Sequence, residues 1–164
     1  MSLTLSVTYP NHTTHRIPLA DGTQKLCEGM LKDYTLAIRM HIPEGITVIG
    51  QIAFARFTRL TSITLPASIT HIGNYAFACC TSLTSISLPA SVTHIGSYAF
   101  TGCTNLTSIA IPTSVTRIGD DAFGFCTNLT SITLSPSLTH ISQLLFLCMR
   151  PADLYHYPSF RHPH

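Results

Sequence analysis

Charge is what this sequence has least of. Only 10% of its 164 residues are charged, against about a quarter in ordinary soluble domains. Apolar residues make up 45%, too many for a disordered chain. The nine Lys and Arg form no basic run and the formal net charge is +2, so the electrostatic footprint of a nucleic-acid binder is missing. No stretch approaches the ~20 continuous apolar residues of a membrane-spanning helix. Met1 to Pro10 holds no basic segment followed by an apolar core, which is the pattern of a secretory signal. The expectation is a cytoplasmic protein, or one exported by a non-classical route. The six cysteines include no C-x-x-C pair, as zinc ribbons and thioredoxin-like sites require. There is no G-x-S-x-G, no H-E-x-x-H and no phosphate loop. Only seven acids exist, and Asp120 and Asp121 are neighbours in one turn. No catalytic residue, metal ligand or cofactor is therefore assigned.

What the chain has instead is repetition. Ile42, Leu65, Leu88, Ile111 and Leu134 stand 23 residues apart, and so do Phe54, Phe77, Phe100, Phe123 and Phe146. Ile49, Ile72, Ile95, Ile118 and Ile141 keep the same step, as do Leu60, Leu83, Leu106 and Leu129. Cys80, Cys103 and Cys126 fall on the grid. A gapless register over more than a hundred residues marks a solenoid, in which each unit buries its apolar side against its neighbours.

The unit is readable residue by residue. Leu83, Ile86 and Leu88 follow the L-x-x-L-x-L spacing of a leucine-rich-repeat strand. Inward Ile86 and Leu88 alternate with outward Ser85 and Ser87. Pro89, without an N–H to donate, stops the ladder. A second extended piece runs from Val92 to Ile95, Gly96 supplies a turn, and the spacing of Ala99, Phe100 and Cys103 suits one helical or 3₁₀ turn.

Residues 2–18 read as an N-terminal β-hairpin cap, with Leu3, Leu5 and Val7 alternating before a turn at Pro10 and Asn11. Residues 19–41 read as a degenerate first repeat, 42–149 as five 23-residue repeats with the last truncated, and 150–164 as a C-terminal cap or tail. In the last repeat the glycine slot holds Ser142, and Leu144, Leu145, Leu147 and Met149 make it more apolar than its neighbours. That end is either an irregular cap or an apolar surface that pairs two copies of the chain.

The string I-G-x-Y-A-F-x-x-C-T-x-L-T-S-I-x-L-P stands at Ile72 to Pro89, and again at Ile95 to Pro112 with Ile111 before its Pro. It resembles the BspA-like class of leucine-rich repeats over about residues 42–149. The resemblance implies a right-handed, curved α/β leucine-rich-repeat solenoid: a β-rich coil with a parallel sheet on its concave face. It also implies a protein-binding role, often at the surface of bacteria and protists. The Asn of the usual leucine-rich-repeat ladder is absent, and Ser68, Ser91, Ser114 and Ser137 sit near its place.

The expected function is that of a scaffold for an unidentified protein partner, with no nucleic acid or membrane involved and a homodimer as the alternative. The binding residues follow from outward slots. Ser62, Ser85, Ser108 and Ser131 form one hydroxyl row, and Thr64, Ser87, Ala110 and Thr133 its neighbour. Arg39 and His41 take the slots of Ser62 and Thr64 in the preceding repeat, with Arg56 and Arg59 one repeat on. This basic corner suits an acidic partner, or is ordinary surface charge. His71, His94, Arg117 and His140 form a further column, read as a solvated row that gains charge in mild acid. The cysteine column reads as small buried hydrophobes, with Cys79, off the grid, the exposed thiol.

Overall fold

The structure, a computed structural model, describes residues 3–134 and 136–141. The strands are short and numerous: β1 (Thr4–Thr8), β2 (Thr14–Pro18), β3 (Lys25–Leu26), β4 (Arg39–His41), β5 (Val48–Ile49), β6 (Ser62–Thr64), β7 (His71–Ile72), β8 (His94–Ile95), β9 (Ser108–Ala110), β10 (Arg117–Ile118), β11 (Ser131–Thr133) and β12 (His140–Ile141). Each 23-residue unit makes one turn of a coil with three sides. Two sides are parallel sheets, and the third is a run of turns.

The first sheet is built from the L-x-x-L-x-L segments. β4 pairs with β6, Arg39 opposite Ser62, and β9 pairs with β11, Ser108 opposite Ser131. The second sheet is continuous, with β3, β5, β7, β8, β10 and β12 lying side by side. Its register repeats the 23-residue step, so Ile49, Ile72, Ile95 and Ile118 stack inward and the residue before each points out. The β1–β2 hairpin covers the start of the first sheet. β1 pairs antiparallel with β4, bringing Ser6 opposite His41 and Thr8 opposite Arg39.

One phenylalanine per coil forms the spine. Phe54, Phe77, Phe100 and Phe123 are all buried. Their rings stack at 5.1, 5.2 and 5.4 Å with interplanar angles of 7° or less. That spacing is set by the backbone, since adjacent strands lie about 4.8 Å apart.

Polar ladders run beside this spine and satisfy carbonyls that no strand reaches. Ser68, Ser91 and Ser114 donate their hydroxyls to Ile46, Ile69 and Val92 of the preceding coil at 2.7, 2.5 and 2.5 Å. These serines do the work of an asparagine ladder. The thiols of Cys80, Cys103 and Cys126 point to the Phe54, Phe77 and Phe100 carbonyls at 3.1, 3.2 and 3.1 Å.

The spacing around Ala99 and Phe100 is compatible with a helical or 3₁₀ turn, but among the described residues a 3₁₀ turn forms only at Lys32–Tyr34. Elsewhere the third side is knitted to the next coil. Tyr75, Phe77 and Cys79 donate their N–H groups to Ser97, Ala99 and Thr101, while Ala76, Ala78 and Cys80 donate back within their own turn. This alternation places Tyr75 and Cys79 at φ of 56° and 58°, with Ile52, Arg56, Tyr98, Asp121 and Phe125 in the same conformation. Gly102 fills the Cys79 slot at φ 71° without the Cβ penalty.

Gly96 does not act by a left-handed turn, because its column lies outside the positive-φ region. Its column is defined by contact. A Cβ on Gly96 would stand 2.6 Å from both the Asn74 N and the Gly73 C, and one on Gly73 would stand 2.7 Å from the Gly50 C. Gly96→Ala should therefore lower stability by at least ~2–3 kcal/mol, since backbone atoms must move. Ser91→Ala should lower it by about 1 kcal/mol, one hydrogen bond. Urea unfolding of the two variants tests this, and equal losses would remove the close-approach explanation.

Candidate interaction surfaces

The outward side of the first sheet carries most of the residues singled out above. Arg39 and His41 on β4 are exposed, and Ser62 and Thr64 on β6 lie beside them in register. Ser85, Ser87, Ser108, Ser131 and Thr133 continue the two columns and are exposed. Arg59 is exposed in the approach to β6. Arg56 stands apart from this face. It belongs to the turn side, at φ 63° with its N–H on the Ala78 carbonyl.

The hairpin adds a residue that the spacing alone did not reveal. Arg16 on β2 lies opposite Ser6, and Ser6 lies opposite His41. The row Arg16–Ser6–His41–Thr64 thus crosses four strands, with Arg39 in the next outward row beside Thr8 and Thr14. Arg16 and His41 are two strand spacings apart, about 10 Å. The alternation of Leu5 and Val7 places Ser6 outward, but only the pairing register brings Arg16 to it. No acid occupies an outward position of this sheet. Glu44, at the corner beyond β4, accepts the Ala67 N–H at 3.0 Å.

The same sheet opens in its middle. β6 pairs back to β4, while Ser85 bridges forward to Ser108. No ladder joins β6 to Ser85–Ser87. An open cleft of about 310 Å³ lies there, lined by Ile63, Thr64, Leu65, Ala67, Ser87 and Pro89. Leu65 is only half buried, as is Leu134 at the far end of its column, whereas Ile42, Leu88 and Ile111 between and before them are 0%, 7% and 4% exposed. The cleft floor is thus apolar, and its Thr64 is one register step from His41.

On the second sheet, His71 and His94 stack face to face at 4.8 Å and 9°. Arg117 follows in register, then His140. Burial, and then repulsion by His71 and Arg117, hold the His94 imidazole below its ordinary pKa. The buried Cys103 is chemically quiet. Hydrogen bonding to Cys80 and burial push the Cys103 thiol far above its ordinary pKa, and a thiol so held supplies little thiolate. Cys79 is exposed. No group of three metal-ligating side chains occurs among the described residues. Leu144, Leu145, Leu147 and Met149 lie outside the described residues.

The depressed His94 has a consequence for stability. In the unfolded chain an imidazole takes up its proton near pH 6.5, while in the fold His94 resists it. Below about pH 6.5 the unfolded state binds more protons, so stability falls as the pH drops. The melting temperature should be lower in mild acid than at neutral pH, and His94→Gln should shrink that difference. A variant with an unchanged pH profile would show that His94 is not the group responsible.

Comparisons with known proteins agree with this architecture. The family model for the BspA type leucine rich repeat region matches residues 30–149 in six copies. Comparison with curated proteins gives no significant match. Among solved structures, the chain is similar to the leucine rich repeat protein of T. pallidum, with 28% identity and a TM-score of 0.68 over 79% of this chain and 67% of that one. It is similar to a leucine-rich repeat protein from Bacteroides ovatus at 32% identity and a TM-score of 0.63, over 81% of this chain. A leucine rich cell surface protein from Faecalibacterium prausnitzii matches at 25% identity and a TM-score of 0.52, over 88% of this chain. The chain spans 33% and 40% of the lengths of the last two. With the repeat model covering well over half its length and its three-sided coils in register, the chain belongs to the BspA-type leucine-rich-repeat family.

Proposed function

We propose that this chain is a protein-interaction scaffold that binds an acidic partner across the first sheet. Leucine-rich-repeat proteins generally act as such scaffolds. The observation that carries the reading is the row Arg16–Ser6–His41–Thr64, which leads from a guanidinium to the edge of an apolar cleft on a sheet whose strands carry no acid, with Glu44 at the corner occupied by the Ala67 N–H. Arg16, Arg39 and His41 supply the positive end, with Arg59 beside them. The cleft at Leu65, Ala67 and Pro89 takes one apolar side chain of the partner. Ser62, Ser85, Ser87, Ser108, Ser131 and Thr133 form a flat hydroxyl surface that allows close approach. Such an interface has the usual anatomy of an apolar anchor within a polar surround.

The reading is of a binding module rather than an enzyme. This face offers hydroxyls, guanidiniums and one imidazole, but no outward carboxylate to orient that imidazole as a base. Self-association through Leu144, Leu145, Leu147 and Met149 is the competing use of the chain, and solution mass decides it. A mass near 17.9 kDa across a concentration series leaves the first sheet for a different partner.

A library of extended peptides containing Glu and Leu, displayed and screened against the full chain, tests the reading. Binding should weaken with added salt. Arg16→Glu with Arg39→Glu should weaken it at least about tenfold, ~1.4 kcal/mol, while Arg56→Glu should leave it nearly unchanged. Equal effects of the two charge reversals, or no acidic peptide selected, would overturn the assignment of this face.

A further inference from the structure

The hairpin leaves one strand of the first sheet with a free side. The order β2-β1-β4-β6 puts β2 at its end, and among the described residues only β1 pairs with it. Thr14, Arg16 and Pro18 are exposed on β2, and Ile17 is half buried against the core.

The pairing register fixes which backbone groups β2 leaves unused. At the two ends of the hairpin, Tyr9 donates its N–H to the Thr13 carbonyl and Leu19 donates to the Leu3 carbonyl. With Thr8 opposite Thr14 and Thr4 opposite Pro18, Tyr9–Thr13 and Leu3–Leu19 are themselves opposite pairs. Bonded and non-bonded pairs alternate along an antiparallel ladder. Val7–His15 and Leu5–Ile17 are therefore the bonded pairs between them. The N–H and C=O groups of His15 and Ile17 point to β1, and those of Thr14 and Arg16 point along the free edge. Pro18 belongs to the free-edge set, so its missing N–H costs the hairpin nothing and closes that edge at one end.

The side chains follow the same alternation. Leu5 and Val7 are buried, and their partners Ile17 and His15 share that inner side. Arg16 lies on the outer side, opposite Ser6. The residue that offers a complete backbone donor and acceptor pair is thus also the one that carries a guanidinium. The strands of this sheet hold no acid to neutralise it, and the nearest acid in sequence, Asp21, lies beyond the end of β2. A cation and a proline on an edge strand turn apolar strands away. They admit one that brings a carboxylate.

We propose that β2 is a docking edge for an extended acidic segment of the protein partner, which adds to it as an antiparallel fifth strand of the first sheet. This docking presupposes the acidic partner of the first-sheet face and adds how its chain is held. Alternate residues of an extended chain repeat at about 6.8 Å. That is the step between the Thr14 and Arg16 backbone groups, and a peptide backbone offers donors and acceptors at the same step. The residue opposite Arg16 sits in a bonded pair, with its Cα about 5.5 Å away. Its side chain stands on the outer side, where a glutamate meets the guanidinium. The residues before and after it turn to the inner side, where an apolar side chain covers the exposed part of Ile17. A second copy of the chain is a poor occupant. Two β2 strands paired antiparallel about Arg16 set guanidinium against guanidinium; paired about His15, they set imidazole against imidazole with the guanidiniums on the diagonal.

The probe is a capped heptapeptide of alternating Glu and Val, and the readout is amide exchange of the full chain followed by nuclear magnetic resonance. In the free chain the His15 and Ile17 amides should exchange slowly and those of Thr14 and Arg16 fast. Saturating peptide should slow Thr14 and Arg16 at least about tenfold. Methylating the peptide nitrogens of the glutamates, which face β2, should abolish binding, while methylating those of the valines should leave it nearly intact. Thr14→Pro, which keeps every charge and the backbone bonds to β1, should weaken binding at least about fivefold. Should that variant fail to fold, the two methylated peptides still decide. Equal effects of the two methylation patterns, or binding without protection of Thr14 and Arg16, would overturn strand addition while leaving the acidic-partner face in place. Failure of the alternating peptide to bind would refute it too, and an acidic peptide selected on Arg39 and the cleft would then keep the wider reading. Protection of Thr14 and Arg16 that grows with protein concentration alone would put a second copy on the edge and sink the proposal as well.

Discussion

Most neighbouring coils are joined by backbone hydrogen bonds along the second sheet and the turn side, and on the first sheet by the β4–β6 and β9–β11 pairs, and these hold each residue about 4.8 Å from its counterpart one repeat away. The other regularities follow from that distance. The phenylalanines stack because their backbones do. The serine and cysteine ladders each reach a carbonyl one coil back because the offset never changes. Glycine is required at 50, 73, 96 and 119 because a Cβ there would meet the backbone of the preceding coil.

The same constraint converts residue types into surfaces. A column holding one kind of side chain becomes a stripe of that chemistry. On the first sheet the stripes are hydroxyls that end in Arg39, His41 and Arg16. On the second they are imidazole and guanidinium, stacked closely enough to affect one another's protonation. A departure from the repeat, such as the break beside Leu65, stands out as a cleft because the strand pairs on either side of it, β4–β6 and β9–β11, are joined.

Much of this was legible beforehand. Burial of Phe54, Phe77 and Phe100, inward pointing of Ile72 and Ile95, and exposure of Ser85, Ser87 and Cys79 all follow from a period of 23 and from alternation within strands. Other features were not legible. Gly96 looks like a turn residue, and only its distance from Asn74 shows it to be a contact residue. Arg56 sits near Arg59 in the chain, yet the turn geometry puts it on another side of the coil. The break next to β6 has no signature, since Ser85 to Leu88 follow the consensus as well as any other unit.

By itself, then, the sequence determined the period, the inward and outward columns and the chemistry of each stripe. These depend only on local alternation and on identical units stacking. The tertiary structure decided which stripes share a face, that Arg16 joins His41, where the first sheet opens, and which imidazole nitrogen meets a threonine. Those outcomes depend on pairing between segments distant in the chain and on the competition for each hydrogen-bond partner, and periodicity carries no record of either.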